Sequence, residues 1–307
     1  MKHVRPFLLL VFATLAGLAL FVSRSDANPE TIKRIAPGVY FREGDMEQGH
    51  CNNVIVEMKD YLIVVDANFP SGARAAMADA KRISPKPVKY VFDTHHHGDH
   101  LYGNSLWTQS GATTLAFKGV AEELKRFEPA RWEEAAKSRK DVAELNQPGP
   151  EPPKQDINEL QYVLNDGSRK VEFRHFGWAH TKGDGFVYLP KEQVLCTGDA
   201  VVNGPYNNTA DANVANWPSV LQAAGKLKVK FVLPGHGVDA GPELISGQAQ
   251  FMTELHKAVK AGVEQGKKLE ELQASIHLPE TVKNWVSERS LKTQIKDAFD
   301  QIQVARQ

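Results

Sequence analysis

An eight-residue stretch, Asp-Thr-His-His-His-Gly-Asp-His at positions 93–100, constrains this chain more than any other feature of its sequence. A hydrophobic core rarely contains so many histidines and aspartates, because both residue types are poor core residues. Residues 88–92 just before it alternate in polarity and are rich in strand formers, and Gly103 and Asn104 just after it indicate a turn. We therefore predict a loop at the end of a strand. Neutral imidazole and carboxylate groups are ligands that zinc prefers, so the loop predicts a metal site.

The spacing within this loop divides its ligands into two groups. Side chains two residues apart point the same way along an extended segment, so His95 and His97 are expected to share one direction. Asp99 continues that alternation, whereas His100 points elsewhere. One loop can thus offer two ligands to one metal ion and two to a neighbouring ion.

Three later strand ends each carry one more candidate ligand beside a glycine, which lets the backbone turn sharply. They are Gly-Trp-Ala-His ending at His180, Thr-Gly-Asp ending at Asp199 and Pro-Gly-His ending at His236. A single histidine after a strand is usually a surface residue or one satisfied by a neighbour. The three together, in this order after the first loop, indicate one composite site.

The pattern His-x-His-x-Asp-His, followed by these strand ends, resembles the signature of the metallo-β-lactamase superfamily over residues 35–240. The resemblance implies an α/β fold, the αββα sandwich, with metals at one edge of its two sheets. It also implies two ligand sets and a bridging residue, similar to those of the glyoxalase II-type hydrolases: His95, His97 and His180 for one metal, Asp99, His100 and His236 for the second, and Asp199 between them.

The same resemblance implies a binuclear metal-dependent hydrolase. Two divalent ions, zinc in the first place and iron or manganese as alternatives, would share a hydroxide, because metal binding lowers the pKa of water to about 7. The hydroxide would attack the carbonyl group of a small-molecule ester, thioester, lactone or lactam. Asp99 is a ligand and a neighbour of that hydroxide, so we assign it the catalytic role of orienting the hydroxide and passing on its proton.

Three alternatives to this hydrolase remain open. Sulfur dioxygenases of the superfamily bind one iron through positions that match His95, His180 and Asp199, and they oxidise persulfides. The second alternative is β-lactam hydrolysis, although the best-known zinc β-lactamases usually have cysteine or serine where Asp199 stands. The third is a non-catalytic metal-binding or partner-binding protein, which the complete ligand set disfavours. The metal that the protein holds separates these alternatives.

The first 27 residues are predicted to be a secretory signal. Lys2 and Arg5 precede an apolar run over residues 7–22, and small residues at Ser25 and Ala27 suit cleavage after Ala27. The run is shorter than the ~20 residues that a membrane-spanning helix needs. We therefore expect a periplasmic or secreted protein without stable membrane insertion, anchored to the membrane only if the signal stays uncleaved.

Length and charge narrow the classes of protein further. The 307 residues include 37 basic and 37 acidic side chains, and zero net charge gives no electrostatic case for a nucleic-acid partner.

We expect a metallo-β-lactamase-like domain over residues 28–240 and a helical C-terminal extension over residues 241–307, which we interpret as a packing layer. Cys51 and Cys196 are expected to be separate buried thiols. The sequence does not indicate an oligomeric state.

The predicted elements fit this organisation. Strands followed by a helix occur twice, which predicts two sheets packed face to face with helices outside. One helix is expected to take Ser71 as its N-cap and to run to Ile83. Residues 118–160 form a charged, mainly helical insertion. It is either a solvated appendage or a lid or wall of the substrate site, because it follows the metal loop closely.

The loop over residues 203–217 follows the bridging aspartate and supplies the candidate substrate contacts, Tyr206, Asn207, Asn208 and Trp217. Among the remaining histidines, His96 lies between two ligands and is expected to face away from the metals. His50 precedes the first hairpin, a segment that often flanks the site in the superfamily. No metal role is predicted for His3, His175, His256 and His277, which have no partners at ligand spacing.

Overall fold

The computed structural model describes residues 32–305, so the predicted signal segment lies outside the described residues. The strands are β1 (Ile32–Ala36), β2 (Val39–Arg42), β3 (Asn53–Glu57), β4 (Leu62–Val65), β5 (Val88–Phe92), β6 (Thr113–Phe117), β7 (Gln155–Ile157), β8 (Gln161–Asn165), β9 (Lys170–Arg174), β10 (Phe186–Leu189), β11 (Val194–Cys196) and β12 (Phe231–Leu233). The α-helices are α1 (Pro70–Ile83), α2 (Gly98–Leu101), α3 (Asn104–Gln109), α4 (Lys118–Ser138), α5 (Lys140–Ala143), α6 (Trp217–Ala224), α7 (Glu243–Glu264), α8 (Leu269–Ser275) and α9 (Glu288–Ala305). Short 3-10 helices lie at Met46–Gln48, Gly198–Ala200 and Glu280–Trp285.

The strands form two sheets. The first runs β1-β2-β3-β4-β5-β6-β7, antiparallel as far as β4 and parallel from there on. The second runs β12-β11-β10-β9-β8, and within it β11 and β12 are parallel. Parallel neighbours end at the same edge of a sheet. The loop after β5 therefore lies beside the loop after β4, and the loop after β11 lies beside the loop after β12.

Apolar side chains from both sheets form the interior of the sandwich. The ring of Phe92 on β5 lies 4.7 Å from that of Phe173 on β9 and 5.9 Å from that of Phe117 on β6, measured between centroids. All three rings are buried. Successive residues of a strand point to opposite faces of its sheet. The residues that alternate with these interior ones therefore point to the outer faces of the sandwich.

Helices cover both outer faces. Ala73 and Ala76 of α1 and Trp107 of α3 pack against the first sheet. Trp217 of α6 and Phe251 of α7 pack against the second sheet, together with residues of α9. The order of layers is helix, sheet, sheet, helix, so the predicted αββα sandwich with C-terminal helices is confirmed.

The insertion packs beside residues 93–100, the histidine loop, whose last three residues lie in the short helix α2. Val120, Leu124 and Trp132 of α4 are buried against Leu101 and Tyr102, which directly follow that loop. The last part of the insertion contains β7, the edge strand of the first sheet. A solvated appendage would not have this buried inner face, so the helix forms a wall beside the loop.

The C-terminal helices also hold the loop over residues 203–217 through polar groups. Gln248 of α7 donates from Nε2 to Asn207 Oδ1 at 2.7 Å, and Gln294 of α9 donates from Nε2 to Asn207 O at 3.1 Å. Thr209 Oγ1 donates to Asp297 Oδ2 of α9 at 2.6 Å. The extension therefore packs on the sheet, as expected, and in addition fixes this loop.

The start of α1 differs from the prediction. The helix begins at Pro70, whose fixed φ suits a first turn, and Phe69 is its N-cap residue. Ser71 lies inside the helix, where its Oγ donates to Asp141 Oδ2 at 2.7 Å and lies 2.8 Å from His50 Nε2. The predicted N-cap at Ser71 is wrong, because the hydroxyl serves a tertiary contact instead.

Cys51 and Cys196 are free and buried, which confirms the expectation of separate thiols. In residues 32–305, no helix combines the length and the apolar character that crossing a membrane requires.

Candidate metal centre

The predicted ligands meet at one edge of the sandwich. The histidine loop follows β5, His180 follows β9, Asp199 lies in the 3-10 helix after β11, and His236 follows β12. Backbone hydrogen bonds join these loops: Gly185 N donates to Thr94 O at 2.8 Å, and Gly235 N donates to Gly198 O at 2.9 Å. Both sheets thus contribute ligands to one site.

Three histidines form the first cluster. Nδ1 of His97 lies 3.2 Å from Nε2 of His95 and 3.0 Å from Nε2 of His180. His95 and His180 are each 1% exposed, and His97 is 9% exposed. Three ring nitrogens therefore converge on one point in a nearly dry environment.

The outer nitrogen of each ring faces a hydrogen-bond acceptor. Thr94 Oγ1 donates to Asp66 Oδ1, so it accepts from His95 Nδ1, 3.0 Å away. The other two acceptors are Asp211 Oδ2, 2.9 Å from His97 Nε2, and Asn208 O, 3.0 Å from His180 Nδ1. With the protons on the outer nitrogens, the inner nitrogens direct three lone pairs at one another, and a cation is what stabilises that arrangement.

The second cluster lies beside the first. Asp99 Oδ2 lies 3.0 Å from His236 Nε2 and 3.5 Å from His100 Nε2. Asp199 stands between the clusters, with Oδ1 3.3 Å from His100 Nε2, and Oδ2 3.6 Å from His236 Nε2 and 3.9 Å from His180 Nε2. Asp199 is therefore within reach of both clusters, as its predicted bridging role requires.

Unpartnered polar atoms provide a test of whether metal ions fit here. His100 Nε2 and Asp199 Oδ1 are buried and lie 3.3 Å apart, but neither has a hydrogen-bond partner with suitable geometry among the described residues. Such an atom costs about 1–3 kcal/mol when left unsatisfied. In each cluster of three, the ligand atoms lie within 4.8 Å of one another. Imidazole nitrogens and carboxylate oxygens are zinc ligands, so the residues present fit a pair of divalent ions.

The electrostatic environment keeps three of the candidate ligands, His95, His180 and Asp199, in their metal-binding form, whereas nearby carboxylates raise the pKa of His100 and His236. Burial, together with neighbouring imidazoles, lowers the pKa of His95 well below its ordinary value and that of His180 to about 3. Burial alone would raise the pKa of Asp199, but His236 and His100 hold it below the usual range. Neutral imidazoles and ionised carboxylate are the forms that bind metal.

Two glycines let the ligand loops approach closely. A Cβ atom on Gly235 would lie 2.0 Å from Asp199 Oδ1. Gly198 has a φ of +49°, and a Cβ atom there would lie 2.4 Å from Thr94 Oγ1. Any other residue at either position would displace the Asp199 carboxylate or the histidine loop.

Asp66, at the end of β4, supports the second cluster and was not predicted from the sequence. Its Oδ2 lies 2.9 Å from His100 Nδ1, and its Oδ1 accepts from both N and Oγ1 of Thr94 at 2.8 Å. A carboxylate behind a metal-binding histidine fixes the orientation of the ring. Asp66 meets one half of the rule that selected Asp199, because it is an acidic residue where a strand stops, but it has no glycine beside it.

Asp211 supports the first cluster and was also missed. Its Oδ2 accepts from His97 Nε2 at 2.9 Å and from His96 Nε2 at 3.1 Å. His96 thus turns away from the ligand cluster, as expected. Arg131 of α4 pairs with both oxygens of Asp211, at 2.7 and 2.9 Å. Nothing in the sequence of the surrounding loop distinguishes this aspartate.

The four candidate substrate contacts divide into two pairs. Tyr206 is 38% exposed, with its ring centroid 6.1 Å from that of His236, and Asn208 is exposed beside His180. Asn207 is buried, and Trp217 is fully buried with its ring 5.6 Å from that of His180. A direct role in substrate binding stays a prediction for all four residues, and the burial of the second pair favours a supporting role for it.

Asp66→Asn is expected to weaken metal binding at the second cluster about 10–100-fold. The amide keeps the size of the side chain and suits the positive φ of 67° at this position. However, an NH₂ group that faces His100 Nδ1 cannot accept the proton of that nitrogen, as the carboxylate oxygen does. Competition with a chromophoric chelator measures the affinity. Asp166→Asn, which changes a carboxylate in the turn between β8 and β9, is the control and should leave the affinity unchanged. Equal affinities in wild type and Asp66→Asn would contradict this role.

Comparison with known proteins gives matches over most of the described chain. The family model of the metallo-beta-lactamase superfamily matches residues 46–236. A metallo-beta-lactamase type 2 from Bacillus cereus is 27% identical over 194 residues, which are 61% of this chain and 66% of that protein. One from Bacteroides fragilis is 33% identical over 88 residues, 26% of this chain and 34% of that protein. The matched region thus spans just under two thirds of the length of the Bacillus relative.

Solved structures share the fold at lower identity. A metallo-beta-lactamase from Pontibacter korlensis is 22% identical and matches with a TM-score of 0.60, covering 72% of this chain and 98% of that chain. A stereoselective inverting sec-alkylsulfatase from Pseudomonas sp. is 19% identical and matches with a TM-score of 0.71, covering 88% of this chain and 49% of that chain. These structures support the sandwich fold described above.

Proposed function

Because the chain belongs to the metallo-β-lactamase superfamily, whose members similar to it are metal-dependent hydrolases, we propose that it is a binuclear zinc hydrolase of a small-molecule ester, thioester, lactone or lactam. The observation that best supports this is the convergence of three imidazole lone pairs at 3.0–3.2 Å, with a second ligand set beside them. A mononuclear iron site would leave Asp99, His100 and His236 without a role. The persulfide dioxygenase alternative therefore has weaker support.

In the proposed mechanism, His95, His97 and His180 would hold one ion, Asp99, His100 and His236 would hold the other, and Asp199 would bind both. The ions would supply a nucleophilic water at neutral pH and polarise the bond that is cleaved. Asp99 has the most accessible side chain among these carboxylates, 23% exposed against 8% for Asp199. We propose that Asp99 would orient the attacking water, accept its proton and pass that proton to the leaving group.

The surroundings of the site favour a substrate with an apolar part. Among the described residues, the exposed large apolar side chains are Met46, Leu160, Val163, Trp178, Tyr206, Val238 and Val304. Two of them lie beside the candidate ligand His236, and a third, Trp178, contacts Asp211 behind the first cluster. Met46 Sδ lies 3.2 Å from His236 Nδ1, the Tyr206 ring faces the same histidine, and Trp178 Nε1 donates to Asp211 O at 2.8 Å. Exposed apolar groups around a polar centre are typical of a ligand site.

A second candidate function is hydrolysis of an alkyl sulfate ester. The alkylsulfatase match covers 88% of this chain, so it has to include part of the C-terminal helices beyond residue 240. The Pontibacter metallo-beta-lactamase covers 72%. Those helices fix the loop that borders the site, and an apolar rim suits an alkyl chain as well as an acyl chain. The same ligand clusters would serve either reaction.

A substrate panel tests both candidates. The zinc-loaded protein and the chelator-stripped protein are assayed with acyl thioesters and aryl esters of increasing chain length, a lactone, a β-lactam and a secondary alkyl sulfate. We expect metal-dependent turnover of a carbonyl substrate, with kcat/KM rising as the acyl chain lengthens. Turnover of the sulfate alone would support the second candidate. No turnover of any member by fully metallated protein would contradict both.

The N-terminal sequence pattern supports export to the periplasm or out of the cell. A basic start, an apolar run and small residues near position 27 characterise a cleaved signal. Fractionation of cells that express the full chain tests this, together with sequencing of the mature N-terminus. Mature protein that starts at residue 28 in the periplasm or the medium is expected, whereas full-length protein in the cytoplasm would contradict the proposal.

A further inference from the structure

Arg131 of α4 makes hydrogen bonds that an arginine facing only solvent would not make. Its guanidinium binds both carboxylate oxygens of Asp211, Nη1 to Oδ2 at 2.7 Å and Nη2 to Oδ1 at 2.9 Å. The Asp211 side chain is 2% exposed, and that of Arg131 is 37% exposed. Two parallel hydrogen bonds of this kind fix the plane of a carboxylate, which a single donor such as lysine does not do.

Asp211 in turn binds a ligand of the proposed metal site. Its Oδ2 accepts from His97 Nε2 at 2.9 Å, and Nδ1 of the same ring faces His95 and His180. The hydrogen bond from a histidine to a carboxylate fixes the tautomer and the orientation of a ring that binds metal through its other nitrogen. The same oxygen also accepts from His96 at 3.1 Å. A carboxylate that is free to rotate would have two histidines competing for it.

Arg131 is itself held in place on its other sides. Its Nη1 donates to Glu128 Oε1 at 3.0 Å, and Glu128 Oε2 accepts from Tyr102 Oη at 2.6 Å. Tyr102 comes two residues after His100 in the chain, so α4 also contacts the segment that follows the histidine loop. The ring of Phe127 lies 5.1 Å from the guanidinium carbon and stacks on His96. The guanidinium is thus preorganised before any metal binds.

We propose that Arg131 is a positioning residue of the metal centre, through which the insertion helix α4 sets the orientation of the His97 ring and hence the metal affinity of the three-histidine cluster. The inference rests on the proposed metal-dependent function. It makes the insertion a structural part of the metal site, which a lid that opens and closes over the substrate would not be.

Metal binding by Arg131→Ala tests the proposal. Zinc affinity is measured by competition with a chromophoric chelator, and the visible absorption of the cobalt-substituted protein reports ligand geometry. We expect the affinity of the three-histidine cluster to fall about 10–100-fold, the second cluster to change little, and the cobalt bands to shift. Arg126→Ala is the matched control, since Arg126 is an exposed arginine of the same helix whose guanidinium lies over Phe127 at 4.7 Å. It should behave as wild type.

Two further variants keep the test decisive if the alanine variant does not fold. Arg131→Lys keeps the positive charge but cannot form the two parallel hydrogen bonds to Asp211. An intermediate loss of metal affinity is therefore expected. Asp211→Asn keeps the shape and should reproduce the loss and the shift of the cobalt bands. Wild-type affinity and cobalt spectrum in Arg131→Lys and Asp211→Asn, or an equal loss in Arg126→Ala, would overturn the proposal. If wild type itself binds no metal, the proposed function fails instead.

Discussion

Asp99→Asn is expected to lower kcat about 10²–10⁴-fold while the protein still binds metal. The amide matches the carboxylate in size, so the loop should keep its shape. It cannot accept a proton, and it replaces the carboxylate oxygen that lies 3.0 Å from His236 Nε2. The three-histidine cluster does not involve this side chain, so at least that ion should remain. Steady-state kinetics and metal analysis on the same preparation separate lost chemistry from lost metal.

The control for this variant lies in the loop that follows His236. Asp239→Asn removes a carboxylate that pairs with the exposed Lys33 at 2.7 Å, and surface pairs of this kind contribute little. Its turnover should match that of wild type. An Asp99→Asn protein that carries its full complement of metal and turns over at the wild-type rate would refute the catalytic role of Asp99.

Trp217→Ala is expected to reduce the free energy of unfolding by about 3–5 kcal/mol. The ring is fully buried beside His180, and its Nε1 donates to Ala200 O at 2.8 Å. Alanine would leave a cavity in the layer between the second sheet and α6, and it would leave that carbonyl without its donor. The melting temperature of the metal-free protein should fall by about 6–20 °C. Denaturant titration gives the free energy directly.

This variant also decides between two roles for Trp217. If Trp217 contacts the substrate, its replacement by alanine should raise KM and leave the stability unchanged. If Trp217 is the buried support described above, the replacement should lower the stability and loosen His180, and the metal affinity of the three-histidine cluster should fall as well. Trp178→Ala removes a tryptophan that is 37% exposed, and it should cost about 1 kcal/mol. Equal losses in the two variants would contradict the assigned burial.

The convergence of the candidate ligands could be predicted from the sequence because each follows a local rule. A histidine or aspartate stands where a strand stops, beside a glycine, and parallel strands bring their ends to one edge. Gly235 and Gly198 show why the glycines are needed, since a side chain at either would collide with Asp199 or Thr94. The two sheets and their outer helices followed from the order of strands and helices.

The residues that orient the ligands could not be predicted in the same way. Asp211 lies 114 residues after His97 in the chain, in a loop without a motif, and Arg131 lies on a helix whose other charges are mostly exposed. Their roles depend on packing between elements far apart in sequence. The N-cap prediction for Ser71 is wrong for a similar reason, because its hydroxyl binds Asp141 across the fold and not the start of its own helix. Asp66 is a partial exception, since it stands where a strand stops but has no glycine beside it.

Metal content per chain tests the central claim most directly. Mature protein is purified without added metal and analysed by mass spectrometry for zinc, iron and manganese, before and after reconstitution. The two ligand clusters predict about two zinc ions per chain. About one iron per chain would contradict the binuclear hydrolase and favour persulfide oxidation. No bound metal even after reconstitution would mean that the histidines and aspartates at the sheet edge do not form a metal centre at all.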